Sequence, residues 1–135
     1  FYGIDPKGKN VVVIGRSLVI GKPVAMMLLG QNATVTICHT KTKDMPALTK
    51  QGEILIVAAG KPGVVGAEYV SAGQIVLDVG INFTSEGKMV GDVDFAAVEH
   101  IAGAITPVPG GVGTVTTSVL MAHVAEAAKR AAARA

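Results

Sequence analysis

The stretch Val11-Val12-Val13-Ile14-Gly15-Arg16-Ser17-Leu18-Val19-Ile20-Gly21-Lys22-Pro23 decides the fold. Four consecutive β-branched residues predict a short strand buried on both faces, and the glycine after them permits a tight turn that a side chain would obstruct. Gly21 and Pro23 open a helix. Pro23 suits the first helical turn, where its missing N–H costs nothing, and Val24, Ala25, Met27 and Leu28 begin an apolar face at helical spacing. Strand, glycine loop and helix aim unpaired backbone N–H groups, and the positive end of a helix dipole, at one spot beyond the strand, which suits an anion. The loop reads Gly-x-Ser-x-x-x-Gly, one residue longer than the Gly-x-Gly-x-x-Gly dinucleotide fingerprint and with serine at its second glycine. Standing alone, it is equally the mark of a glycine turn needed only for packing.

Outward from that unit the same alternation repeats. Thr34–His39 is β-rich and predicts a second strand ending near His39-Thr40. Lys41–Lys50 predicts a short polar helix or turn, and Glu53–Ala58 a third strand closed by Ala59-Gly60-Lys61-Pro62-Gly63. A brief helical piece at 67–70 leads to a fourth strand, Gln74–Gly80. Two apolar stubs joined by Ser85-Glu86-Gly87-Lys88 predict a hairpin. Asp94 is placed to cap a short helix, Ile101–Ile105 predicts a last strand, and a Pro/Gly loop at 106–113 precedes a long helix from about Val115 to the end. Met26, Met27 and Met121 read as core filler, and Cys38 as ordinary core. Phe1 and Tyr2 have no element of their own to pack into.

The pattern implies a Rossmann-like, doubly wound α/β fold, a mostly parallel sheet with helices on both faces, with residues 1–135 as a single domain. Half of the 135 residues are hydrophobic, ample for one core. A net charge of +2 with 16% charged residues implies no nucleic-acid footprint. The apolar runs fall short of the roughly 18 residues of a membrane span. One cysteine and three scattered histidines offer neither an internal disulfide nor zinc spacing, so no metal is expected, and a reducing cytoplasm fits.

Parallel sheets bind ligands beyond the carboxyl ends of their strands, where strand order reverses. Here those ends are marked by Gly15, Thr40, Ala59-Gly60, Gly80-Ile81-Asn82 and Thr106-Pro107, which together describe a crevice floored by backbone. A domain selective for NAD offers a carboxylate at the end of its second strand. This chain has His39-Thr40-Lys41 there, with Arg16 in the glycine loop and Lys41 and Lys43 nearby, so a 2′-phosphate is welcome and NADP is favoured over NAD. Arg16 as a solvated surface residue, and His39 as a strand-end histidine bonded to backbone, remain alternatives. Asp78 and Asp92, beside strand ends, suit bonds to backbone amides rather than acid–base work.

Gly15-Arg16-Ser17-x-x-x-Gly21-x-Pro23, Cys38-His39-Thr40-Lys41-Thr42, Asp78-Val79-Gly80-Ile81-Asn82, Gly91-Asp92-Val93 and Thr106-Pro107-Val108-Pro109-Gly110-Gly111-Val112-Gly113 resemble the methylenetetrahydrofolate dehydrogenase/cyclohydrolase family over essentially the whole chain. The resemblance implies NADP-dependent oxidation of methylenetetrahydrofolate, an oxidoreductase step, followed by hydrolysis to 10-formyltetrahydrofolate. It implies cofactor contacts from Gly15, Arg16, Ser17, Gly21, His39, Thr40, Lys41, Gly60, Ile81 and Thr116. Pro109, Gly110, Gly111 and Gly113 would form a loop on the substrate side.

Two departures accompany the likeness. Thr114-Val115 stands where the family pattern commonly has Pro-Met, which implies a less rigid loop. The family's N-terminal domain, with its Tyr-x-x-x-Lys pair and most of the folate pocket, has no counterpart here, and neither Tyr2 nor Tyr69 is followed by a lysine four residues on. No catalytic residue is therefore assigned. The expectation is an isolated NADP-binding domain, inactive alone, that meets folate only with the missing domain and self-associates as a homodimer through apolar surface and a free sheet edge. The alternatives are an enzyme component active when that domain is supplied, and a Rossmann-like folding unit with no retained binding.

Overall fold

Val11 and Val13 point into one apolar layer, with Ala25, Ala33, Ile54 and Ile56, while Val12 and Ile14 point into another, with Cys38, Leu55, Val57 and Val76. That alternation is what a strand covered on both faces requires. It places β1 (Asn10–Ile14) inside the sheet, with a strand on either side. The computed structural model describes residues 2–134, so the expectation for Phe1 lies outside the described residues.

Around β1 the chain builds a five-stranded parallel sheet from β2 (Thr34–Cys38), β3 (Ile54–Val57), β4 (Ile75–Asp78) and β7 (Ala104–Ile105), in the order β2-β1-β3-β4-β7. Chain direction across the sheet reverses between β1 and β3, the switch point at which such sheets open a crevice. Helix α1 (Gly21–Gly30) covers one face. The other is covered by α2 (Met45–Thr49), a 3₁₀ turn (Ala67–Tyr69) and α3 (Phe95–Val98). Asp94 caps α3, its side chain accepting from the Ala97 N–H at 3.3 Å. β5 (Asn82–Phe83) and β6 (Met89–Val90) form the expected antiparallel hairpin.

Several boundaries and burials differ from the sequence reading. The last strand is two residues long, because Ile101 and Ala102 both donate their N–H groups to the Val98 carbonyl and close α3 instead. Helix α4 (Val112–Ala132) starts three residues before Val115. The first turn thus includes Thr114, whose hydroxyl donates to the Gly111 carbonyl at 2.7 Å, where a loop was expected.

Met26, Met27 and Met121 are not core filler: they are 61%, 71% and 64% exposed. With about 100° between successive helical residues, Gly21, Val24, Ala25 and Leu28 share the sheet-facing side of α1, and Met26 and Met27 turn to solvent. Met121 belongs to α4, in which no residue is buried. Cys38 is core as expected, and burial pushes its thiol pKa up. Among the described residues no helix is long and apolar enough to cross a membrane.

Candidate functional site

Beyond β1 the chain turns through Gly15 at φ +123°, a conformation open to glycine. Ser17 then organises the loop. Its hydroxyl accepts from the N–H groups of Ile20 (3.0 Å) and Gly21 (3.3 Å), and its carbonyl from Lys22 (3.0 Å). The serine that replaces the fingerprint's second glycine therefore caps α1, and the first helical amides are already satisfied. The unpaired amides expected beyond the strand therefore belong to the loop and not to the first turn of the helix. The amides with no protein acceptor among the described residues are those of Arg16, Ser17, Leu18 and Val19, in the loop itself. Gly21 lies buried beneath them, where a Cβ would stand 2.8 Å from the Arg16 nitrogen.

Gly15, Arg16, Ser17, His39 and Thr40 come together on a cleft of about 280 Å³ beyond the carboxyl ends of β1 and β2. Its other wall is made by Met45, Ala58, Ala59, Val64, Val65 and Tyr69. Arg16 is exposed and takes part in no ion pair or hydrogen bond among the described residues. His39 is bonded to backbone as the plainer alternative held: Nδ1 accepts from the Lys41 N–H at 3.1 Å, so the neutral ring carries its proton on Nε2. The ring still lines the cleft. The Lys41 side chain is exposed beyond it.

A second cleft, of about 610 Å³, lies on the β4 side of the same rim. It collects Ile81, Pro109, Gly110, Gly111, Gly113 and Thr116. Val19 and Ile20 of the glycine loop reach this cleft, whereas Arg16 and Ser17 reach the first, so the unpaired loop amides lie between the two. An elongated ligand with a central anion, a polar ring at one end and a phosphate near Arg16 matches that layout. Gly60 stands apart, its N–H donated to the Asp92 carboxylate at 2.8 Å. The Val108–Pro109 peptide is cis.

The tetrahydrofolate dehydrogenase/cyclohydrolase NAD(P)-binding domain matches residues 1–132. The chain belongs to that family. A curated family member, the bifunctional protein FolD of Clostridium botulinum (strain Langeland / NCTC 10281 / Type F), is 55% identical over 130 residues, 96% of this chain and 46% of its own length. FolD of Moorella thermoacetica is 55% identical over 128 residues. Among solved structures, the bifunctional methylenetetrahydrofolate dehydrogenase/cyclohydrolase of Campylobacter jejuni superposes with a TM-score of 0.91 at 48% identity, over 96% of this chain and 46% of that one. The Trypanosoma brucei enzyme, described as complexed with NADP cofactor and inhibitor, gives a TM-score of 0.85 at 40% identity, again over 96% and 46%. The chain thus spans about half the length of the family members it matches. At 14% identity, D-2-hydroxyisocaproate dehydrogenase shares the fold, with a TM-score of 0.60.

Within this family domain, sequence reasoning missed the part of the first cleft's apolar wall made by Met45, Val64, Val65 and Tyr69, which have no ligand pattern of their own. Asp78 and Asp92 bond backbone amides as expected, and the structure adds that both are buried. Asp78, at the end of β4, is 3% exposed and accepts from the N–H groups of Gly80 (2.9 Å), Asp92 (3.1 Å) and Val93 (3.0 Å). Burial pushes its carboxyl pKa above the ordinary aspartate value, the three amides pull against that rise, and the neighbouring Asp92 adds to it.

The sign for stability follows. Between about pH 4 and the raised folded value, the folded chain keeps a proton that the unfolded chain has released, so this group's contribution falls as pH rises through that window. Asp78→Asn removes the slope. Urea denaturation across that range is expected to show the stability of wild type minus that of the variant shrinking with rising pH; a difference that grows with pH contradicts the assignment.

Proposed function

We propose that the chain is the NADP-binding half of a bifunctional methylenetetrahydrofolate dehydrogenase/cyclohydrolase, selective for NADP over NAD and inactive without its folate-binding companion domain. The observation that carries this reading is the convergence of an unpaired Arg16 with His39 and Thr40 on one cleft, with no carboxylate lining it where an NAD-selective domain would hold the ribose. Family membership and the NADP named for the Trypanosoma brucei relative support it.

The bound cofactor would supply a hydride acceptor, and the chain would hold it. The Arg16–Val19 amides would receive the pyrophosphate, while the Arg16 guanidinium and the Thr40 hydroxyl would receive the 2′-phosphate. The apolar wall with Tyr69 would shield the adenine. Ile81 and the backbone of Gly110, Gly111 and Gly113 would let the nicotinamide approach closely and exclude water from one side of it.

No lysine or tyrosine among the residues lining the second cleft supplies an acid or base, so folate chemistry in this reading waits on the companion domain. The same reading takes the chain as a homodimer, supported by the exposed Leu120, Val124 and Phe83. Titration calorimetry of the 135-residue chain is expected to show NADP binding at least about tenfold tighter than NAD, with the mass of two chains by light scattering and no NADPH formed from methylenetetrahydrofolate. Tighter binding of NAD, or turnover by the chain alone, overturns the reading.

A further inference from the structure

One carboxylate bridges two segments of the ligand-binding rim. Asp92 is fully buried, and its side chain accepts three hydrogen bonds from two different strand-end loops. Oδ2 takes the Gly60 N–H at 2.8 Å, and Oδ1 takes the Lys61 N–H at 2.9 Å, both in the loop that follows β3. Oδ1 also takes the Asn82 amide, Nδ2, at 2.8 Å, from the first residue of β5, directly after the loop that follows β4. The carboxylate thus extends a connection that begins where the Val79 N–H donates to the Val57 carbonyl at 2.9 Å.

The packing around Asp92 shows that it is seated. A Cβ on Gly80 would overlap the Asp92 carboxyl group, and one on Gly91 would overlap that of Asp78. Each aspartate thus rests against a glycine of the other's segment. The Asp92 N–H in turn donates to Asp78 Oδ1, so the carboxylate's own backbone is fixed from β4.

The carboxylate supports both clefts, through different bonds. On the first cleft, Val65 is held without it: its N–H donates to the Asp92 carbonyl at 3.1 Å and its carbonyl accepts from the Asp94 N–H at 2.9 Å. Ala58 and Ala59 of the same cleft run directly into Gly60 and Lys61, whose N–H groups the carboxylate holds. On the second cleft, Ile81 is 61% exposed and sits between Gly80, tied to Asp78, and Asn82, tied by its side chain to Asp92. The Asn82 bond is thus the part of the set that serves the second cleft.

We propose that Asp92 is a positioning residue that locks the loops after β3 and β4 into one wall, and that its bond to Asn82 sets affinity for the nicotinamide half of the cofactor. This rests on the cofactor reading above. Asp92 touches no ligand in this role. It acts through Asn82 and Ile81, and a carboxylate suits it because three converging donors need an acceptor with no hydrogen of its own.

The test compares NADP with 2′,5′-ADP, which keeps the adenosine and 2′-phosphate but lacks the nicotinamide, on the 135-residue chain. Asp92→Asn places an amide hydrogen against an N–H donor. It is expected to weaken NADP about tenfold and 2′,5′-ADP by less, about threefold, through the Gly60 and Lys61 bonds beside the first cleft. Asn82→Ala removes a single bond from a half-buried site and keeps the carboxylate's backbone donors, so it folds if Asp92→Asn does not; it is expected to weaken NADP about fivefold with 2′,5′-ADP unchanged. A general loss of stability would weaken both ligands in the same ratio, and that result for Asn82→Ala overturns the positioning role. So does an unchanged NADP affinity. A wild-type chain that binds neither ligand overturns the cofactor reading itself, and the positioning role with it, whereas a wild-type chain that binds both isolates any failure to Asp92.

Discussion

Gly15→Ala is expected to destabilise the chain by about 4 kcal/mol and to abolish measurable cofactor binding. Two costs combine. At φ +123° an L side chain is strained, by about 1–3 kcal/mol. The added Cβ would also overlap the Ala58 carbonyl oxygen and stand 2.9 Å from its carbon, and both atoms are main chain at the end of a central strand, unable to swing aside like a flexible side chain. Shifting Ala58 disturbs β3 and the first cleft together, since Ala58 donates to the Ile14 carbonyl at 2.8 Å and also lines that cleft.

Gly73→Ala serves as the internal control. Gly73 has φ +78°, and a Cβ there meets nothing within 4 Å, so only conformational strain of about 1 kcal/mol is expected. Against a domain stability of about 5–15 kcal/mol, the first variant unfolds at much lower urea and the second barely shifts. Equal midpoints for the two would show that the turn tolerates a side chain, and the central position given to Gly15 would fall.

The same residue explains why so much of the fold was legible. A β-branched run, a glycine and a helix start are each local, and the Gly15 turn can be made in few ways, so strand, loop and helix followed from adjacent residues. The parallel sheet followed from the strand–helix alternation, and the crevice from the markers at the strand ends; the order of the strands came only with the structure. That Asp78 and Asp92 bond backbone amides was legible, but which amides depends on contacts between distant residues. The Asp78 bonds to Asp92 and Val93 span 14 and 15 residues, and those from Asp92 to Gly60 and Lys61 span 32 and 31. No spacing announces them.

The misplaced methionines have a different cause. Apolar periodicity reports which residues share a side of a helix, not whether that side has anything against it. In α1 the sheet takes Ala25 and leaves Met26 and Met27 outside. In α4, Val119, Leu120 and Val124 fall on one side of the helix and are all about half exposed. Ser17 escaped for a third reason: a serine in a glycine loop reads as a ligand donor or as a cap with equal ease, and only the distances to Ile20 and Gly21 separate the two.

Arg16→Ala is expected to cut NADP affinity about thirtyfold and NAD affinity less than about twofold, erasing most of the preference between them. The side chain is exposed, and no protein acceptor engages it among the described residues, so its removal changes stability by no more than about 0.5 kcal/mol. An effect on binding therefore cannot pass through the fold. A guanidinium paired with a phosphate contributes roughly 1.5–3 kcal/mol through charge-assisted hydrogen bonds, and about 2 kcal/mol, within that range, corresponds to the thirtyfold loss.

Arg16→Lys keeps the charge and loses the planar fork, so an intermediate loss of about fivefold is expected. Because the group is exposed, the NADP preference of the wild type should narrow as salt is raised, and that of Arg16→Ala should stay flat. Calorimetric titrations of NADP and NAD at two salt concentrations separate the possibilities. Equal losses for both cofactors would move Arg16 from the 2′-phosphate to the shared pyrophosphate, and no loss for either would leave it as surface charge and return the question of selectivity to Thr40, the other donor on that cleft.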